Sequence, residues 1–323
     1  MSAKAQEPTR RSCPLCGSPQ RQLEFLKQGW QYWRCSCGHV FVDPLPSYEE
    51  TLEHYQQGYS DEQLNRSRAW FKVLARDRLK LVQKWWGNRP TGHLVDAGCG
   101  YGFFLNEARN RGWSVTGIDY SGHPLQFAGR EFDLDIIAED IGIAIEMLPK
   151  ESVDVLTFWH VLEHLNRPGR ILDHAVEAMK PGGILILNSP NLDAAIYRLA
   201  GRYWSWIYTP GHVQYFSLGS LADAVEGRGL SVQAKETWTH APNLYFLLED
   251  ALLQGVCDAL ERRRWLLIRK VAQRLRQFAF SPFHQQVLQL RFFKVLYGWT
   301  PGLDRHLRRA MRGHEFLLVA RKA

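Results

Sequence analysis

The chain has 323 residues, enough for one large domain or two small ones, and at 45% hydrophobic it can bury a sizeable core. Lys and Arg number 40 against 33 Asp and Glu, but residues 261–312 alone hold 13 basic and 2 acidic side chains, so one segment is basic and the rest mildly acidic. That distribution excludes a chain built throughout to wrap nucleic acid, and no uninterrupted apolar run of about 18 residues is present to span a membrane.

The first residues, MSAKAQEPTRRSC, contain no apolar run of the kind a secretion signal needs. A cytoplasmic protein is therefore expected, in a reducing compartment where close cysteine pairs are metal ligands more often than disulfides. Residues 11–42 are rich in cysteine and turns. Cys13-x-x-Cys16 and Cys35-x-Cys37 stand 18 residues apart, the pattern of a zinc ribbon. The second pair is one residue shorter than a usual knuckle, and His39 offers a substitute for one sulfur. The alternative is a ribbon-shaped remnant whose thiols pack as small hydrophobes.

VDPLPSYEE (Val42 to Glu50) reads as a linker, and Tyr48 to Trp86 as helical, rich in Arg, Gln and aromatic residues. From His93 short apolar runs alternate with helical patterns: HLVDAG as strand, FFLNEARNRG as helix, WSVTGID as strand, HPLQFAGREF as helix, DIIAED and VDVLTFWH as strands. RILDHAVEAMKPGG follows as a helix with a glycine stop, and ILILNSPN as a strand. Further on, SLADAVEGRGL reads as helix, SVQAKETWT and the terminal EFLLVARK as strands. Strands alternating with helices of about 10 residues predict an α/β fold, a doubly wound and mostly parallel sheet with helices on both faces.

In such sheets ligands bind at the carboxyl ends of the strands. VDAGCGYG (Val95 to Gly102) is a strand-to-helix turn in that position, with glycines where backbone must approach a ligand. Its spacing is G-x-G-x-G rather than the G-x-G-x-x-G of a dinucleotide site, and Asp96 precedes it by two residues. A carboxylate there repels a pyrophosphate and suits a cationic amino acid moiety. Asp119 ends the next strand, where a carboxylate can accept both hydroxyls of a ribose. Asp140 ends the strand after that, within reach of an adenine amino group, with Glu139 as competitor. Three acids at three consecutive strand ends describe a positively charged nucleoside without phosphate, and S-adenosylmethionine fits that description.

VDAGCGYG, GIDYS, VDVLTFWHVLEHL, MKPGG and ILNSPN occur in the order seen in class I S-adenosylmethionine-dependent methyltransferases, and the chain most resembles their small-molecule branch, type 11 or type 23. The resemblance covers roughly residues 91–241 and 313–323. It implies a Rossmann-like sheet with an antiparallel last strand. It also implies cofactor contacts from Asp96, Gly98, Cys99, Gly100, Gly102, Asp119, Tyr120, Asp140, Ile141 and Trp159, with Ile141 against the adenine ring. CPLCG and GHVFVDPLP resemble the cysteine module that begins related methyltransferases.

Methyl transfer is an in-line displacement on an activated methyl, so the protein mainly aligns the acceptor, and a hydroxyl acceptor also needs a base near neutral pKa. FWHVLEHLNRP follows the fourth core strand. His160, Glu163 and His164 share a face if the segment is helical. In quinone-biosynthetic O-methyltransferases the similar segment is E-x-x-E-H and holds a divalent metal. Here His160 replaces the first Glu, and imidazole suits softer ions than Mg²⁺. TPGHVQYFS (Thr209 to Ser217) supplies His212, the first choice for general base, with His164 and His160 the other catalytic candidates. For each, holding a loop is the plainer alternative. YRLAGRYWSWIY, dense in Tyr and Trp, reads as a helical lid packing on the core, with an aromatic acceptor wall as the alternative.

The organisation expected is a zinc-ribbon-like module at 1–46, a helical cap at 47–90, a methyltransferase core at 91–241, a basic helical insertion at 242–312 and the last core strand at 313–323. In the insertion, Trp265, Leu267, Ile268, Val271, Leu275 and Phe278 fall on one half of a helical wheel, and Arg269, Lys270, Arg274 and Arg276 on the other. Such a helix suits an anionic membrane surface or a lipid-linked substrate through residues 261–280, or a plain packing or dimer contact. Nucleic acid is disfavoured because no aromatics interleave with the basic face. The expected partner is a small-molecule acceptor, a lipid- or nucleotide-linked sugar or natural-product intermediate. A nucleic-acid methyltransferase and a non-catalytic S-adenosylmethionine-binding protein are the competing readings.

Overall fold

A computed structural model describes residues 12–47, 49–51, 54, 60–134, 136–238 and 310–323. The amphipathic helix expected at 261–280 lies outside them. Two compact units result. One comprises the chain up to Ser189 together with Thr209–Lys235 and Leu317–Ala323, the other Pro190–Tyr208 and Glu236–Phe316.

The first unit opens with a hairpin, β1 (Arg21–Lys27) and β2 (Trp30–Cys35), antiparallel, followed by β3 (Val40–Val42) against β2. A long helix, α1 (Asp61–Trp86), buries Leu64, Ala75, Leu79, Val82 and Trp86, positions that recur at the helical period and so share one face. The main sheet then begins. β4 (His93–Ala97), α2 (Phe103–Arg109), β5 (Ser114–Ile118), α3 (Gly122–Phe132) and β6 (Ile136–Ile137) form its first half. A helix unmarked in the sequence reading, α4 (Ile141–Met147), precedes β7 (Val153–Trp159), α5 (Pro168–Ala178) and β8 (Met179–Pro190).

Seven strands stand in the order β10-β11-β8-β7-β4-β5-β6, where β10 is Leu230–Trp238 and β11 is Glu315–Lys322. β4, β5, β6, β7 and β8 are parallel, and the last strand is antiparallel, as the sequence led us to expect. Leu94, Val95, Val155, Leu156, Ile184, Leu185 and Ile186 are wholly buried, which is why these strands read as unbroken apolar runs rather than alternating ones. Leu218–Glu226 forms α7, after a short α6 (Ala195–Ala200) in the second unit, and Ser217 with Ser220 closes a capping box at its start.

One boundary differs. The helix expected to run through MKPGG ends at Ala178, and Met179 already opens β8 with an extended backbone. Pro181 explains it, since a proline disfavours helical geometry at the residue before it and removes a helical donor. Among the described residues no helix is long and apolar enough to cross a membrane.

Candidate active site and cysteine cluster

β4 is central in the sheet and delivers the glycine turn to its carboxyl edge. The Gly98 and Cys99 N–H groups donate to the Ile118 carbonyl at 2.7 and 3.1 Å, binding the turn to the end of β5. Gly98 and Gly100 have φ of +75° and +51°. A Cβ on Gly98 would lie 2.3 Å from Val161 Cγ2, whereas one on Gly100 would meet nothing within 4 Å. Gly98 is thus fixed by packing, while Gly100 turns bare backbone to open space.

Asp119 is buried and reaches back to this turn. Its Oδ2 accepts the Gly100 N–H at 2.8 Å and its Oδ1 the Ser121 N–H at 2.9 Å, leaving each oxygen further lone pairs. Asp96 is buried below, accepting the Thr157 hydroxyl at 2.6 Å. Burial pushes its carboxyl up to about 7, against the pull of Thr157 and the Arg78 cation, and the charge of Asp119 adds to the rise. Asp140 is exposed and caps α4, its Oδ1 accepting the N–H groups of Gly142 and Ile143 at 2.9 and 3.3 Å, with Ile141 buried beside it. Tyr120 is half-buried. Trp159 is buried at the end of β7 with its indole N–H unpartnered, Phe104 edge-on to it and the Arg78 guanidinium 5.0 Å above the ring. Cys99 is buried, and burial raises its thiol. These residues border one region at the strands' carboxyl ends. The unpartnered Trp159 N–H and the open face of Gly100 fit a ligand with hydrogen-bonding groups. Arg78 has no local signal in the sequence; it enters from α1.

The segment after β7 is not helical from His160 onward. His160 has φ of +57°, its N–H bonds the Asn188 carbonyl at 2.9 Å, and only Leu162–His164 forms a 3₁₀ turn. The shared helical face is therefore replaced by a folded cluster. His160 Nδ1 lies 3.2 Å from Oε1 of the buried Glu163, whose Oε2 accepts the Ser189 hydroxyl at 3.0 Å. Burial would raise Glu163, but the hydrogen bond and charge of His160, with the charges of His164 and His212, hold it down at about 2. His164 donates Nδ1–H to the Gly211 carbonyl at 2.8 Å, and the rings of His164 and His212 stand 4.7 Å apart, inclined by 65°.

Glu163, His164 and His212 bring ligand-type atoms within 4.8 Å of one another; His160 is outside that group. Both Glu163 oxygens and His164 Nδ1 have protein partners, which hold these side chains in place and leave Nε2 as the His164 atom for a proton or a ligand. His54, also unmarked in the sequence reading, is pushed down by burial and by the charge of His164.

Cys13, Cys16, Cys35 and Cys37 converge despite the shortened second pair, their sulfurs within 4.8 Å of one another. Turns bonded from Gly17 N to Cys13 O and from Gly38 N to Cys35 O, each 2.9 Å, bend the two segments around them. Cys13 and Cys37 sulfurs are 3.9 Å apart, and those of Cys16 and Cys35 3.6 Å. The edge of a tetrahedral zinc–thiolate site with ~2.3 Å bonds is about 3.8 Å, so the set fits zinc without His39. The hydrogen bond from Cys13 holds the Cys37 thiol at about 5, favouring a thiolate. His39 is wholly buried, its Nδ1 3.4 Å from Cys13 Sγ, its ring stacked 4.9 Å from that of Phe216.

Residues 64–235 match the family described as a methyltransferase domain. A ubiquinone biosynthesis O-methyltransferase of Coxiella burnetii is 26% identical over 151 residues, 43% of this chain and 63% of that protein. One of Cupriavidus pinatubonensis is 27% identical over 179 residues, 49% of this chain and 68% of that protein. The chain thus spans less than two thirds of the length of the Coxiella relative. Among solved structures, a SAM-dependent methyltransferase from Archaeoglobus fulgidus has 16% identity and a TM-score of 0.49, covering 81% of this chain and 100% of that one.

Proposed function

The chain belongs to the methyltransferase domain family, of the class I S-adenosylmethionine-dependent kind, and on that premise we propose that it methylates a small-molecule acceptor. The cofactor supplies an electrophilic methyl on a sulfonium. The Gly98–Gly102 backbone lies along its methionine part, Asp96 faces the amino group, Asp119 takes the ribose hydroxyls and Asp140 the adenine edge. Ile141, Tyr120, Cys99 and Trp159 line the nucleoside. The reading is supported above all by Asp119 accepting the Gly100 N–H at 2.8 Å, which sets a buried carboxylate beside open glycine backbone, where a phosphate would be repelled.

On the acceptor side His164 serves as the base, its Nε2 left basic by the bond to Gly211, and His212, the first choice from the sequence, stands beside it as the alternative base, with His160 keeping Glu163 ionised. Relatives named ubiquinone biosynthesis O-methyltransferases support a hydroxyl acceptor on a small molecule. A lipid- or nucleotide-linked sugar also fits, and the basic, half-apolar sequence at 261–280 suits a lipid-linked one. The four cysteines hold a structural zinc.

Isothermal titration with S-adenosylmethionine and, separately, NAD tests this on wild type and Asp119→Ala. Micromolar binding of the sulfonium compound alone, lost in the variant, is expected. Binding of neither by folded protein overturns the reading. Binding without turnover, unaffected by loss of His160, His164 and His212, leaves a non-catalytic binder, and salt-sensitive RNA binding favours a nucleic-acid substrate.

A further inference from the structure

The sheet that carries the cysteine cluster has four strands, and the N-terminal segment supplies three of them. The fourth, β9 (Gln214–Tyr215), begins two residues after His212. β3 pairs antiparallel with it, Val40 against Tyr215 and Phe41 against Gln214, and Val42 N–H donates to the Val213 carbonyl at 3.0 Å. A two-residue strand is too short to define its own place, so its register comes from β3.

Side chains extend the connection. Thr209 Oγ1 donates to the His212 carbonyl at 3.3 Å, so its single proton is committed, and the buried Tyr32 hydroxyl, 2.8 Å away, donates to Thr209. Tyr215 also donates to the His212 carbonyl, at 2.9 Å, and its ring lies 5.8 Å from that of Tyr32. At the cluster itself, His39 touches Cys13 and stacks on Phe216. From the opposite side, Glu163 O accepts Val213 N–H at 3.0 Å and His164 holds Gly211. The loop of His212 is therefore clamped between the ribbon and the segment that follows β7.

We infer that the cysteine ribbon is the positioning scaffold of the acceptor loop: Tyr32 and β3 set where His212 stands, and metal loading at the four cysteines acts on His212 through them. Tyr32 touches no reacting atom; it is a positioning residue. The metal arm rests on the zinc reading proposed above, and the Tyr32 arm does not.

The test uses the full chain with histidine labelled at ¹³Cε1, the His212 resonance being assigned by its loss in His212→Gln. Zinc content, S-adenosylmethionine affinity, amide exchange over 209–217 and the His212 resonance are measured in wild type, Tyr32→Phe, Thr209→Val, the double variant and chelator-stripped protein. Tyr32→Phe is expected to leave zinc content and cofactor affinity within about twofold, to speed exchange over 209–217 about tenfold, the size of one lost hydrogen bond, and to shift the His212 resonance. Thr209→Val gives the same shift and the double variant adds little, because one chain of bonds is cut in either place. Stripping the metal gives a larger change in the same peptide, with 95–102 unaffected. An unmoved His212 resonance and unchanged 209–217 exchange, in Tyr32→Phe and in stripped protein whose residues 12–42 have opened, overturns the inference. Protein isolated without metal, in which Tyr32→Phe still moves His212, supports the scaffold and fails the zinc reading alone; absent cofactor binding with the loop shift intact fails the methyltransferase reading alone.

Discussion

His164 donates its Nδ1–H to the carbonyl of Gly211 at 2.8 Å, and that bond decides which ring nitrogen keeps a lone pair. A carbonyl only accepts, so the neutral ring carries its proton on Nδ1 and leaves Nε2 basic. Asparagine at this position retains a donor for Gly211 and loses the base. His164→Asn is expected to hold the loop and the cofactor affinity while lowering turnover by roughly 10²–10⁴, measured as S-adenosylhomocysteine release with an acceptor found by screening. A variant keeping a third of wild-type turnover removes His164 from the chemistry.

Two neighbouring glycines are expected to fail in different ways. Both Gly98 and Gly100 have left-handed backbone, so alanine strains each by about 1 kcal/mol. At Gly98 the new methyl also collides with Val161, and Gly98→Ala is expected to cost at least about 2 kcal/mol and lower the melting temperature by several degrees. At Gly100 the methyl enters open space, so Gly100→Ala is expected to melt within a few degrees of wild type yet bind S-adenosylmethionine at least tenfold more weakly. Thermal melts beside titration calorimetry separate the two. Equal melting losses in both variants contradict the assignment of Gly100 to the ligand.

What was legible in the sequence follows the range of the forces involved. β4, β7 and β8 announce themselves because strands buried on both faces need largely apolar runs, and the glycine turn because its backbone tolerates little else. Asp140 was legible as a strand-end acid but not as the cap of α4, since ED preceding a short apolar run serves either purpose. β9 was hidden because two residues carry no periodicity; only its pairing with β3 makes it a strand. Arg78 and His54 were hidden for another reason. Each acts on a partner far along the chain, Trp159 and His164, and nothing beside either in the sequence marks it.

Asp96 should give cofactor binding a pH dependence of definite sign. Burial holds its carboxyl up to about 7, so near neutrality the unliganded protein carries it partly protonated. A cationic amino group prefers the carboxylate. Binding therefore releases a proton, and affinity rises as pH increases through about 7 and levels off above. One unit below, the apparent affinity is expected to fall by close to tenfold. Calorimetry in buffers of different ionisation enthalpy measures the released proton directly. In Asp96→Asn the slope disappears and the affinity is low throughout. A wild-type affinity flat from pH 5.5 to 8 shows that Asp96 does not face the amino group.

The cysteine cluster leads to an expectation about cooperativity as well as composition. One zinc per chain is expected by atomic emission, lost in Cys37→Ser, since four sulfurs with edges of 3.6 and 3.9 Å match a tetrahedral ion. An appended ribbon would unfold in its own transition when stripped. This one shares its sheet with β9, and Gly169 N–H at the start of α5 donates to the Pro14 carbonyl at 3.0 Å, inside the cysteine turn. Opening the ribbon thus removes pairing from the unit that also holds the main sheet. Chelation is therefore expected to lower the main melting transition, on the order of 5 °C, rather than to add an earlier separate one, because a ligand bound only by the folded state stabilises whatever unfolds with it. Differential scanning calorimetry with and without chelator decides the matter. A new low-temperature transition with the main peak unmoved makes the ribbon an independent module, and no bound metal in freshly isolated protein ends the zinc assignment.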